Sequence, residues 1–177
     1  MKHIARRIFL LTAVLPLAGC GFKPLYATNE SGQSTSPVVT AELAAMQISP
    51  IADADGVKLR QALRERLQPS GLGDHPRYVL DVQMRSRTDE LGVRRDATAS
   101  HANLIYTARF SVNVGGQRIL SDVVQSVVSY NILDDQYATV AAIGNAKDRA
   151  IKQIGDGIKV RLAIFLENRR RQTASAQ

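Results

Sequence analysis

Asn103-Leu104-Ile105-Tyr106-Thr107-Ala108-Arg109-Phe110-Ser111-Val112-Asn113-Val114-Gly115-Gly116 is the stretch from which the fold can be read. Leu104, Tyr106, Ala108, Phe110, Val112 and Val114 alternate with Asn103, Thr107, Arg109, Ser111 and Asn113. Side chains of a strand point to opposite faces in turn, so this spacing predicts a strand with one buried and one solvated face. Gly115-Gly116 supplies the positive φ of a tight reversal, and Arg118 to about Ile132 returns as the second arm of a hairpin.

On the N-terminal side the same period recurs. Tyr78, Leu80, Val82 and Met84 oppose Asp81, Gln83, Arg85 and Arg87, and the polar segment Thr88 to Ser100, with Arg94 and Arg95, is expected to be a loop between the two strands. Further upstream, Glu42 to Ile48 reads as a short first strand closed by Ser49-Pro50. Leu59, Ala62, Leu63 and Leu67 then recur at helical spacing, with Asp53 or Asp55 as the capping residue.

After the hairpin, Asp134 or Asp135 can open a long helix whose apolar stripe is Val140, Ile143, Ala150, Ile151, Ile154, Ile158, Leu162 and Phe165. Gly144, Gly155 and Gly157 weaken it, which predicts a kink or close packing near Gly155, and the basic end from Glu167 is expected to fray. The element order is β-α-β-β-β-α. It predicts an α+β fold, a two-layer α/β sandwich with two helices on one face of a mixed, about four-stranded sheet. The opposite sheet face is left open and polar.

The N-terminus has a separate logic. Lys2, Arg6 and Arg7 precede an apolar run from Ile8 to Leu17, and Leu17-Ala18-Gly19-Cys20 ends in the only cysteine of the chain. That run is about half of the ~20 residues that span a hydrocarbon core, so it reads as the h-region of an export signal. The pattern resembles a bacterial lipobox, which implies cleavage before Cys20 and acylation of that residue; the alternative is a plain secretory signal with a chance cysteine. The chain then divides into a signal peptide (1–19), a lipidated N-terminus and polar tether (20–37), one domain (38–170) and a polar tail (171–177). Loss of the signal removes three of the 23 Lys and Arg and none of the 16 Asp and Glu, so the charge balance stays positive and suits an anionic partner.

The inventory speaks against an enzyme. His3 leaves with the signal, His75 and His101 have no metal-ligand spacing, and no Gly-x-Ser-x-Gly elbow exists. Gly155-Asp156-Gly157 lies inside a predicted helix rather than after a strand, so it is no dinucleotide loop. No cofactor, metal or catalytic residue is expected, and an exported chain with few aromatics does not suit nucleic acid. The informative cluster is cationic: Arg85, Arg87 and Arg109 share the open face, with Arg94 and Arg95 in the adjoining loop. Guanidinium forks bind phosphate oxygens in bidentate fashion, so the cluster suits phosphorylated lipid headgroups; the bland reading is a solvated face whose charges discourage aggregation. Arg169-Arg170-Arg171 reads as a solvated helix end or a contact with anionic lipid.

Cys20-Gly21-Phe22-Lys23-Pro24-Leu25-Tyr26 resembles the mature N-terminus of the lipopolysaccharide-assembly lipoprotein family LptE in its alphaproteobacterial form, Cys-Gly-Phe-x-Pro-Leu-Tyr. The resemblance implies a non-enzymatic lipoprotein on the periplasmic side of the outer membrane. It also implies a plug and assembly partner for the LptD β-barrel that binds lipopolysaccharide. Gly21 lacks the aspartate that resembles an inner-membrane retention signal. A stand-alone periplasmic lipoprotein that carries or scaffolds lipids is the alternative.

Overall fold

Alternation along the hairpins is realised as one sheet with helices on one side. The structure is a computed structural model and describes residues 37–73, 75–93 and 99–175. Its elements are α1 (Pro37–Ala44), β1 (Met46–Ile48), α2 (Ala54–Leu67), β2 (Tyr78–Val93), β3 (Ala99–Val114), β4 (Gln117–Asn131) and α3 (Gln136–Ser175). The strands lie in the order β1-β2-β3-β4, with β1 parallel to β2 and the rest antiparallel, so the sheet is mixed and open. The expected α+β class and sheet stand. The lipobox, Cys20, the tether as far as Ser36, Arg94 and Arg95 lie outside the described residues.

Register decides which residues form the core. Leu80 pairs with Val112, Val82 with Phe110, and Tyr106 with Ser126, and these even-numbered positions face the helices. Tyr106, Phe110, Leu80 and Val112 are fully buried there with Leu59, Leu63, Ile154, Ile158 and Leu162. Removing such side chains from water contributes about 1.5–3 kcal/mol each. The one buried polar residue on this face among the described residues, Ser126, donates to Gln153 Oε1 at 2.6 Å. Tyr106 donates its hydroxyl to Asp55, and Lys147 lies 3.4 Å from the same carboxylate oxygen. Asp55 thus ties the start of α2 to β3 and α3. Burial, and next the bond to Asp55, push the Tyr106 phenol well above its ordinary value.

The two sheet-covering helices meet through glycine. At Gly155 a Cβ would come within 3.3 Å of the Arg66 side chain, and at Gly157 within 2.7 Å of Val124 Cγ1. Arg66 crosses this gap and bonds Asp156 at 2.6 Å. The glycines therefore serve close packing, and α3 runs as one helix from Gln136 to Ser175 without the interruption their spacing allows.

Five local expectations change. The segment read as a strand from Glu42 begins with α1, because Val39 and Leu43, one helical turn apart, both join the core; only Met46–Ile48 is strand. The polar segment after Thr88 is not all loop: β2 continues to Val93 and β3 starts at Ala99, since backbone pairing such as Glu90 with Ala102 requires no apolar side chain. Asp53 precedes α2 with φ 67° and makes no side-chain cap bond; at α3, Asp135 Oδ1 does accept from Tyr137 N at 2.8 Å. The basic end of α3 stays helical to Ser175, where Glu167 bonds Arg170 at 2.8 Å and Arg171 at 3.2 Å. The buried stripe of α3 starts at Ala146 and ends at Leu166, so Val140 is 62% exposed.

Candidate functional site

The odd-numbered residues of the long strands form the face that no described helix covers. Gln83, Arg109 and Val123 make one row across it, Arg85, Thr107 and Gln125 the next, and Arg87, Ile105 and Val127 the third. Arg85 and Arg109 are therefore diagonal neighbours, roughly 7 Å apart at Cβ, and Arg87 follows Arg85 two residues on. All three are exposed, as the alternation predicts. The structure brings them together on one face.

Local charge is only partly balanced. Arg87 Nη2 lies 3.4 Å from Asp89 Oδ2, with both side chains largely exposed, so the pair contributes little. Asp81, the other carboxylate near Arg109, accepts a hydrogen bond from Asn113 Nδ2 at 2.7 Å. Among the described residues no carboxylate pairs with Arg85 or Arg109, which leaves two guanidinium forks free to take an anion.

A fourth cation joins this face by a route that alternation hides. Val112 pairs with Leu120, but Asn113 pairs with Arg118, so the register shifts by one residue between Val112 and Asn113. The bulge at Ile119 reverses the parity of β4 and carries Arg118 to the open face, where strict alternation from Leu120 would place it among the core positions. Arg118 lines a cavity of about 180 Å³ with Asp81, Gln83, Arg109 and Ser121. The turn residues Gly115-Gly116 were the only local signal, and they mark a hairpin, not a bulge.

On the β4 side of the same face apolar side chains stand among polar ones, with Gln125 between Val123 and Val127. Ile105 is 7% exposed although it is on the open side, and Val123 and Val127 are 38% and 52% exposed. Cationic forks on β2 and β3 thus lie beside Ile105, Val123 and Val127, which Thr107 and Gln125 separate into two apolar spots. Such a surface can hold an anionic amphiphile by its phosphates and by the start of its hydrocarbon chains.

Nothing on this face assembles a reaction centre. His101 is exposed at the far end of the face, its Nδ1 2.8 Å from Ser100 Oγ, and His75 is exposed in the turn before β2. Among the described residues no group of three or more His, Cys, Asp or Glu side chains converges to hold a metal ion. No described helix is long and apolar enough to cross a membrane. Arg94 and Arg95, the other two candidates for anion binding, are outside the described residues, and Arg170 and Arg171 are engaged with Glu167.

A family model described as LptE, Lipopolysaccharide-assembly, matches residues 43–162. No curated protein matches the chain. Among solved structures, a protein of Caulobacter crescentus shares 20% identity, covering 73% of this chain and 96% of the other, with a TM-score of 0.61. Rare lipoprotein B from Shewanella oneidensis shares 18% identity over 70% of this chain and 99% of the other, with a TM-score of 0.57. A minor lipoprotein from Acinetobacter baumannii shares 17% identity over 67% and 88%, with a TM-score of 0.53. These structures share the fold of helices on one face of a four-stranded sheet.

Proposed function

The chain belongs to the LptE lipopolysaccharide-assembly family, and from that premise we propose that it is an outer-membrane lipoprotein that partners an LptD-type β-barrel and holds lipopolysaccharide on its open sheet face. In this reading residues 1–19 are removed and Cys20 is acylated. Residues 20–37 tether the domain at the periplasmic side, and the domain is plug and assembly partner of the barrel. Several acyl chains at one residue give durable anchoring where a single chain is marginal. The family is a non-enzymatic one, and the proposed role needs binding and release rather than bond chemistry.

The observation that carries the binding role is the placement of Arg85 and Arg109, without a carboxylate partner among the described residues, beside Ile105, Val123 and Val127 on a face that no described helix covers. Lipid A phosphates would meet the guanidinium forks, and the adjoining acyl chains Ile105, Val123 and Val127. Arg118 extends the cationic region toward the β3–β4 turn, and Arg94 and Arg95 stand next to the far end of the same strands in sequence. A polar face of this kind also suits the hydrated lumen of a large barrel.

Two measurements test the proposal. Replacing Arg85, Arg87 and Arg109 together by Ala is expected to weaken lipopolysaccharide binding by about tenfold or more and to flatten its salt dependence. Unchanged affinity in a folded variant would remove the face from consideration. Mild detergent extraction through a C-terminal tag is expected to recover a stoichiometric large barrel protein. Recovery of the lipoprotein alone would favour the stand-alone reading instead.

A further inference from the structure

The sheet has three exposed edge segments, and two of them are closed by side chains. Along β1, Arg60 Nε donates to the carbonyl of Ile48 at 3.3 Å and Gln68 donates to that of Met46. Along β4 the odd residues turn their backbone groups outward, because Ile132 N bonds inward to Ser100 O. There Asp122 Oδ1 accepts from Val123 N at 2.7 Å, and Arg149 donates to Ser129 O at 3.4 Å. Side chains that occupy edge groups in this way prevent strand addition.

The third segment has no such cover among the described residues. β1 pairs only with Tyr78 to Leu80, so the outer edge of β2 is open from about Val82 onward. Leu80 O faces outward, since it accepts from Ser49 N at 3.0 Å. The same parity turns the backbone N–H and C=O of Val82, Met84, Ser86, Thr88 and Glu90 to solvent. Ser86, Thr88 and Glu90 are also exposed at their side chains, so neither face of this stretch is covered by a described helix.

We propose that this edge pairs antiparallel with the same edge of a second copy of the chain, about a dyad at Thr88. In that register Arg87 lies opposite the second copy's Asp89 and Asp89 opposite its Arg87, both in non-hydrogen-bonded pairs, where side chains are closest. Thr88 faces itself in a hydrogen-bonded pair, and Ser86 faces Glu90. The neighbouring registers fail. A dyad at Arg87 sets Arg87 against Arg87, and one at Asp89 sets Asp89 against Asp89. A dyad at Ser86 or earlier drives the incoming strand into β1, which occupies the edge opposite Leu80. With the dyad at Thr88 the second copy's Val93 stands opposite Gln83, clear of β1. The sequence Arg87-Thr88-Asp89 is thus self-complementary in one register, unlike the uniform lysines or prolines that blunt an edge.

The result is a sheet continuous through two copies, with both open cationic faces on the same side. The contact is one strand wide, at the low end of interface sizes, so the dimer is a weak, concentration-dependent one. It goes beyond the proposed function: the backbone pairing uses the edge of β2, while Arg87 and Asp89 of the open face set its register.

Site-specific crosslinking tests the register. In the full chain carrying Cys20→Ser, no other cysteine remains. A Thr88→Cys substitution is expected to form a disulfide dimer on mild oxidation, because Cα atoms of a hydrogen-bonded pair stand about 5.5 Å apart. Ser86→Cys is expected not to, because it stands opposite Glu90 and its counterpart is four pairs away. Adding Asp89→Arg to Thr88→Cys is expected to cut the crosslinking rate by about tenfold, and adding Arg87→Asp as well to restore it. Equal crosslinking at positions 86 and 88, none at position 88 in a folded chain, or no rescue by the double exchange would overturn the proposal. Crosslinks from position 88 only to a different protein when the chain is mixed with a membrane extract would overturn it in favour of a foreign strand.

Discussion

Phe110 and Arg109 are adjacent in the chain and serve opposite faces of one sheet. Phe110 is 1% exposed among Leu, Ile and Val side chains of β2, β4 and the helices, and its position is explained by the molecule's own packing. Arg109 is exposed with no carboxylate partner among the described residues. The described helices pack the one face and leave the other open, where the proposed ligand would bind. Substitutions on the two faces should therefore separate stability from binding.

The sharpest separation comes from the neighbours themselves. Phe110→Ala is expected to cost about 3–5 kcal/mol, the transfer term plus the cavity left in the core. Arg109→Ala is expected to leave stability within about 0.5 kcal/mol while weakening binding of an anionic lipid. Urea unfolding of the two variants checks this. If Arg109→Ala lost several kcal/mol, the open face would be structural and the comparison would fail.

Next in size is the polar group buried on the covered face. Tyr106→Phe removes the hydroxyl that bonds Asp55 and is expected to cost about 1–2 kcal/mol. Its folded-state pKa is raised, so the neutral phenol is favoured in the fold. That contribution is fully present below the unfolded value near 10 and is lost as pH rises from there toward the folded value. The wild type should therefore lose stability above about pH 10 more steeply than Tyr106→Phe. Parallel curves in alkaline solution would show that Tyr106 is not the titrating group.

A third test divides α3 between its packed and open faces. Gly157→Ala drives a Cβ to within 2.7 Å of Val124, a stiff β-branched side chain, and is expected to destabilise by about 1 kcal/mol despite the better helix propensity. Val124→Ala in the same chain should relieve the clash. Gly144 has nothing within 4 Å of its Cβ position, so Gly144→Ala is expected to stabilise by about 0.5–1 kcal/mol. Thermal melts of both variants should shift in opposite directions.

The same contrast explains how much could be read in advance. Tyr78 to Met84 and Leu104 to Val114 alternate because a helix layer lies over one side, and that pattern fixed the strands, the core and the open-face positions of Arg85, Arg87 and Arg109. Where the helices end, the pattern ends too: Ser86, Thr88 and Glu90 are exposed like their odd-numbered neighbours, so β2 beyond Thr88 looked like loop. Helix α1 was hidden because eight residues are too few to be stable alone; packing of Val39 and Leu43 into the core holds it. Arg118 was hidden because a one-residue bulge reverses parity, and such a bulge is set by the pairing of two strands rather than by either one. The glycines of α3 allow a kink or close packing, and the partners that decide between them, Arg66 and Val124, lie far away in sequence.

Asp122 offers the smallest test, where the covered face meets the β4 edge. Its carboxylate is held below the usual range, first by the hydrogen bond from Arg161 at 2.6 Å and then by Val123 N–H. A depressed folded-state pKa contributes stability above the unfolded value near 3.9, and that contribution disappears as pH falls through the folded value. Because both partners are more than a third exposed, screening limits the pair to a few tenths of a kcal/mol. Asp122→Asn can still accept from Val123, so it should lose only that increment near neutral pH and match the wild type in acid. Asp122→Ala also frees the Val123 N–H and removes one of the two caps on the β4 edge. It should unfold at nearly the same urea concentration as Asp122→Asn yet self-associate more readily. Equal association of the two variants would mean that the cap does not guard this edge, and that the contrast with the open edge of β2 is one of shape rather than of hydrogen-bond supply.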